Sequence, residues 1–205
     1  MYKSLGMTQK RETEDHHCGK TANDEELVVI DSTQLHVAGT AQPKCELVAL
    51  YGFSANYPNN ARLEFNPKSR REKGDLVFHI NDGFKIFLSW GSLAEARTRY
   101  ATAAEQASDS IKRSLKTPRA KLEGNPETRS IKILNHDAVF THVRMSLERG
   151  GFPFGSNRVI QDVYAMHLHC YESERYYVIY AFGRPDISEE LGRAIEPIVS
   201  SLKCH

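Results

Sequence analysis

Residues 76–90 read LVFHINDGFKIFLSW, and this stretch decides the fold class. Apolar runs flank Asn81-Asp82-Gly83, and an Asp-Gly pair favours the tight turn of a two-stranded hairpin. Strands joined this closely pair antiparallel. Directly after them, Ser92 and Glu95 form a capping box, which satisfies exposed amide donors at a helix start. Leu93, Ala96, Tyr100, Ala103, Ala107, Ile111 and Leu115 then recur at steps of three or four. That spacing predicts one long mid-chain helix with a single apolar face, ended by Pro118.

Upstream, residues 46–57 (ELVALYGFSANY) read as one strand that stops at Pro58-Asn59-Asn60. Residues 63–65 give a short second strand before Asn66-Pro67. Downstream, residues 119–129 read as a polar loop. Residues 130–134 and 138–145 read as two strand pieces around Asn135-His136-Asp137. A Gly-rich loop, residues 148–157 (ERGGFPFGSN), leads to strands at 159–170 and 175–182. The closing helix has Asp186 as its predicted N-cap. Its stripe is Ile187, Leu191, Ile195, Ile198 and Leu202, with a kink expected at Pro197. Short turns between consecutive strands predict an antiparallel sheet of about six strands. Two amphipathic helices must bury their stripes against it, which predicts an α+β fold, a three-layer α/β/α sandwich.

The pieces GFSANYPNNARLEF, LVFHINDGFKIFLSW, SIKILNHDAVFTHVRM and VYAMHLHCYESERYYVIYAFG, with the long helix and the closing helix, follow one another in an order that resembles the Mog/PsbP-like superfamily. The resemblance spans roughly residues 46–203 and rests on element order. It implies a non-catalytic binding or assembly protein that recognises a partner by surface contact. Members include a nuclear-import factor that binds the small GTPase Ran and an extrinsic subunit of photosystem II, so the implied partner is a protein, acidic or a small GTPase.

With 205 residues, the chain suits one domain with a sizeable core. Residues 27–205 are assigned to it, with short strands at 27–30 (LVVI) and 34–37. Residues 1–26 read as a flexible polar tail. The formal net charge of +1 argues against a dedicated nucleic-acid binder. No apolar run approaches the roughly 20 residues that span a bilayer. The polar start of the chain has no apolar signal core, so a cytoplasmic location is expected. There Cys18, Cys45, Cys170 and Cys204 would be free thiols. Cys170 and Cys204 each end a predicted element, so a disulfide between them is geometrically open if those ends meet.

Three groups carry candidate chemistry. His167-x-His169 lies on a strand, where residues two apart share a side, so both imidazoles can reach one zinc or copper ion. His136, Cys204 and His205 are further ligand candidates for that site, and Cys170 would point to the other side of the sheet. The alternative is that the two histidines lie partly exposed beneath a helix. His16-His17-Cys18 forms another ligand-type run in the tail. For partner binding, residues 47–121 hold 13 basic and 7 acidic side chains, a net of +6. Arg70, Arg71, Lys112, Arg113, Lys116 and Arg119 are its candidates for a basic patch, although cations at a helix end also complement the helix dipole. Phe152 and Phe154, in the Gly-rich loop, are candidate contact residues. No phosphate-binding loop, nucleophile elbow or protease signature occurs, so no enzyme activity is expected, with an enzyme whose site is not recognisable from sequence as a further alternative.

Overall fold

The computed structural model describes residues 45–80, 84–117, 119–149 and 157–205. The tail, the strands expected at 27–37, His16-His17-Cys18, the Asp82-Gly83 turn, and Phe152 and Phe154 lie outside the described residues.

Strands β1 (Cys45–Leu50) and β2 (Phe53–Pro58) form a separate hairpin. The single strand expected over 46–57 is therefore two. Tyr51 and Gly52, at φ 51° and 74°, make the turn between them, a left-handed pair suited to a two-residue hairpin loop. The main sheet has eight strands rather than about six. Its members are β3 (Ala61–Phe65), β4 (Gly74–Ile80), β5 (Phe84–Ser92), β6 (Lys121–Leu122), β7 (Glu127–Ile133), β8 (His136–Arg149), β9 (Asn157–Cys170) and β10 (Arg175–Gly183). The order is β3-β4-β5-β10-β9-β8, with β6 and β7 both paired along the outer edge of β8. All pairs are antiparallel. β6 falls inside the stretch read as a loop. The turn before β8 sits at Leu134-Asn135, both at positive φ, one residue earlier than expected. That shift puts His136 into the strand.

The long helix is in fact two, α1 (Leu93–Arg97) and α2 (Ala103–Ser114). Thr102 causes the break. Its hydroxyl accepts from the Glu105 amide at 3.2 Å, and a Glu105 carboxylate oxygen accepts from the Ala101 amide at 2.7 Å. The first bond is an N-cap and the second holds the amide of the residue before it, and together they start a new helix at Ala103. At the far end, α3 (Ser188–Ser200) follows a 3-10 turn over Pro185–Ile187. Ile187, not Asp186, is its N-cap, and Asp186 instead pairs with Arg184 at 2.9 Å.

The sheet has two differently covered faces. α3 and the β1–β2 hairpin cover one, the α3 face. Trp90, Phe78, Leu88, Tyr177, Ile179, Met166 and Leu168 lie in that core with Leu191, Ile195 and Ile198 of α3. One outer layer thus mixes a helix with a hairpin instead of being purely helical. On the other side, the α2 face, Ala103 and Ala107 of α2 bury against Val139. Among the described residues no helix is long and apolar enough to cross a membrane.

Cys45 is disulfide-bonded, so the expectation of four free thiols fails at this position. Cys170 and Cys204 are free and buried.

Candidate metal centre

Strand parity sorts the candidate ligands. Alternate residues of β9 point to opposite faces. Cys170, Leu168 and Met166 therefore belong to the α3 face, while His169, His167 and Ala165 face α2. His167 and His169 are each only 2% exposed, not partly exposed as one reading had it. His167 Nε2 lies 3.2 Å from Ser110 Oγ, and His169 Nε2 lies 2.8 Å from Gln106 Oε1. Ser110 and Gln106 are four apart on α2, so one side of the helix serves both imidazoles. Burial holds the His167 imidazole well below the ordinary range, down to about 4, with His169 and Arg113 adding to the effect. Burial also lowers His169, helped by Arg97. The pair is neutral, and no third ligand joins it among the described residues.

The accessory candidates do converge, but around Cys170 on the opposite face. The β8–β9 register pairs Ala138 with Leu168, which sets His136 across from Cys170. His136 Nε2 is 3.5 Å from Cys170 Sγ. The other two residues arrive after α3. Lys203 and Ser54 exchange two backbone hydrogen bonds of 2.9 and 2.7 Å, which ties this segment to β2. Cys204 then offers its carbonyl to the Tyr177 hydroxyl at 3.2 Å and to Arg175 Nη2 at 3.4 Å. His205 Nδ1 lies 3.6 Å from Cys170 Sγ and 3.4 Å from Cys204 Sγ. The donor atoms of His136, Cys170, Cys204 and His205 all fall within 4.8 Å of one another. A tetrahedral zinc ion with ordinary Zn–S and Zn–N bonds sets its sulfur and nitrogen ligands about 3.6 Å apart. The three sulfur–nitrogen separations match that spacing.

Two further features suit a metal. Three of the four residues are buried, with His205 at the rim. His205 Nε2, the nitrogen facing away from the thiols, is 2.9 Å from a Glu172 carboxylate oxygen. Such an outer carboxylate orients a ligating imidazole and raises its basicity. The thiols themselves form an unequal pair. The bond from Cys204 holds the Cys170 thiol well below its ordinary range, with Ser173 and His205 contributing and burial opposing. The same bond, and burial, push Cys204 up.

Arg175 fastens the surroundings. Its guanidinium donates to the carbonyls of Tyr51 (2.6 Å), Gly52 (2.9 Å), Arg71 (3.1 Å) and Cys204. One buried cation thereby joins the hairpin turn, the segment before β4 and the ligand-bearing segment after α3. Neither His-x-His spacing nor charge pattern signals this residue. Its only sequence mark is an Arg at an inward position of β10.

The basic candidates do not assemble. Arg70 and Arg71 are exposed beside the α3 face, where the Arg70 carbonyl accepts from Trp90 Nε1 at 2.9 Å. Lys112, Arg113 and Lys116 are exposed on or just after α2, over the opposite face. Arg113 pairs with Asp109 at 2.8 Å and Arg119 with Glu148 at 3.6 Å.

No protein-family model and no curated protein matches the chain. Among solved structures it is similar to cyanobacterial PsbP (CyanoP) from Synechocystis sp. PCC 6803. The TM-score is 0.55 at 12% identity, over 83% of this chain and 96% of that one. A structure from Bacteroides thetaiotaomicron VPI-5482 aligns with a TM-score of 0.43 at 13% identity, over 80% of this chain and 49% of that one. The first likeness shows a PsbP-like fold. The second is too slight to carry an argument.

Proposed function

We propose that this protein is a non-catalytic binding or assembly factor of PsbP-like fold whose body is clasped by one zinc ion. The convergence of His136, Cys170, Cys204 and His205 carries the proposal. Four protein ligands leave no open position for substrate, the pattern of a structural zinc rather than a catalytic one. Two thiolates and two imidazoles in tetrahedral spacing favour zinc over copper(II), which prefers tetragonal sites. The ion would bind β8, β9 and the segment after α3 into one unit. The assembly role rests on the PsbP-like fold; a small GTPase as partner rests on the superfamily resemblance alone. The disulfide at Cys45 fits an oxidising compartment better than the cytoplasm. There a bound metal would also shield Cys170 and Cys204 from oxidation.

Elemental analysis of tag-free, reduced protein equilibrated with zinc tests this reading. One zinc per chain is expected, lost in Cys170→Ser/Cys204→Ser and retained in His167→Ala/His169→Ala. Substoichiometric metal in the wild type overturns it. Loss only in the His167/His169 variant moves the site to the other face of the sheet.

A further inference from the structure

The main sheet ends in β3 on one side, and the outer edge of β3 pairs with no strand among the described residues. Such an edge presents a row of backbone donors and acceptors to any strand that can lie beside it. Charged side chains ordinarily blunt an edge of this kind. The charges of β3 are arranged differently, because they complement themselves.

The strand reads Ala61-Arg62-Leu63-Glu64-Phe65, with one cation and one anion placed symmetrically about Leu63. A second copy laid antiparallel about a two-fold axis through Leu63 sets Arg62 opposite Glu64 of the second copy, and Glu64 opposite its Arg62. Leu63 meets its own counterpart, and Phe65 meets Ala61. Side chains directly opposed on antiparallel strands touch, and opposite charges there favour the pairing. The two charged side chains are 71% and 57% exposed, so both can be reached from outside. Within one chain Arg62 lies a loose 4.0 Å from Glu64, and His79 of β4 lies 2.5 Å from it. Both contacts use Glu64 Oε2, which leaves Oε1 without a partner among the described residues. On the other side of the strand, Phe65 is 47% exposed and would gain cover. The opposite edge strand, β7, lacks this symmetry. Centred on Ser130, it would set Arg129 against Ile131 and Lys132 against Thr128, with no ion pair.

We propose that β3 is a self-association edge, where a second copy of this chain adds its own β3 antiparallel about Leu63 and joins the two sheets into one. The contact is isologous, so it closes at two copies instead of growing into a fibre. A standard interface takes about 20–30 residues a side. A five-residue edge with its flanks is much smaller, so the dimer is weak and forms at high protein concentration. It is independent of the zinc proposal, since β3 lies at the far end of the sheet from β8 and β9.

Sedimentation velocity on the full chain, from about 10 μM to about 1 mM, tests the proposal. The weight-average mass of the wild type should rise toward twice the chain mass over that range. Arg62→Glu and Glu64→Arg each put like charges opposite one another at both ends of the pairing, and each alone should stay monomeric. An equimolar mixture of the two variants restores both ion pairs and should associate again. The double variant Arg62→Glu/Glu64→Arg restores them within a homodimer and should also associate. These rescues separate a lost interface from a lost fold, and matching thermal melts by circular dichroism check the fold directly. A wild type that is monomeric throughout overturns the proposal. So does association that survives either single variant, or a mixture and a double variant that both stay monomeric.

Discussion

On the face that carries Trp90, Tyr177 and Ile179, α3 and the β1–β2 hairpin bury a continuous apolar layer. Across the same sheet, α2 is seated through Ala103 and Ala107 on Val139, with two buried histidines and a half-open groove beneath it. The contrast is one of side-chain size. Large aliphatic and aromatic groups on the α3 face each contribute about 1.5–3 kcal/mol when fully buried. The alanines of α2 contribute far less but let the helix approach closely enough for Gln106 and Ser110 to reach the imidazoles. One face therefore holds the fold together, and the other spends packing on enclosed polar groups.

Three measurements break or sharpen this contrast. Trp90→Ala on the α3 face should cost the most, about 3–5 kcal/mol. It leaves a void beside Tyr51 and Phe53, whose rings sit 5.4 and 5.1 Å from Trp90, and it abandons the Arg70 carbonyl. Urea denaturation reads the loss directly. A cost under about 1 kcal/mol would show that the apolar layer is not the main source of stability.

The next effect belongs to the α2 face and depends on pH. The folded His167 titrates near 4, below the ordinary 6.5 of an unfolded chain. Above pH 6.5 both states are neutral and stability is full. As pH falls below 6.5, the unfolded chain takes up the proton first, so stability declines until the pH passes about 4. The expected loss is on the order of 3 kcal/mol, and His169 adds in the same direction. His167→Phe should flatten this slope over that window. If wild type and variant show parallel stability profiles, the imidazole is not buried in solution.

The smallest effect separates α1 from α2. Thr102→Ala removes the hydroxyl that caps α2 and should cost about 1 kcal/mol. Hydrogen exchange should quicken in α2 and leave the amides of β10 unchanged. Equal quickening in both would mean that the two faces unfold as one unit.

Much of this arrangement was legible in residue order. The alternation in β9 and β10 announced two strands, since period-two burial writes itself directly into side-chain type. It also placed Cys170 opposite His167 and His169. The break in the helix was harder to see, because Tyr100 and Ala103 keep the helical spacing across the Thr102 cap. Tyr51-Gly52 was concealed by apolar residues on both sides. At the metal centre, His136, Cys204 and His205 are legible as ligand types, but residue order alone joins them to His167 and His169 rather than to Cys170 on the other side of β9. Their true meeting point depends on the β8–β9 register and on the Ser54–Lys203 pairing. Both are non-local facts that no short window of sequence contains.

That pairing has a consequence for how the chain is made. The Asn56 amide waits for the Ser201 hydroxyl, 145 positions further along. At ordinary rates of synthesis, roughly 7–30 s separate the two residues leaving the ribosome. Through that interval Phe53, Ala55 and Tyr57 have no α3 to cover them. The inward side chains of the β1–β2 hairpin therefore gain their α3 cover only after nearly the whole chain has been made.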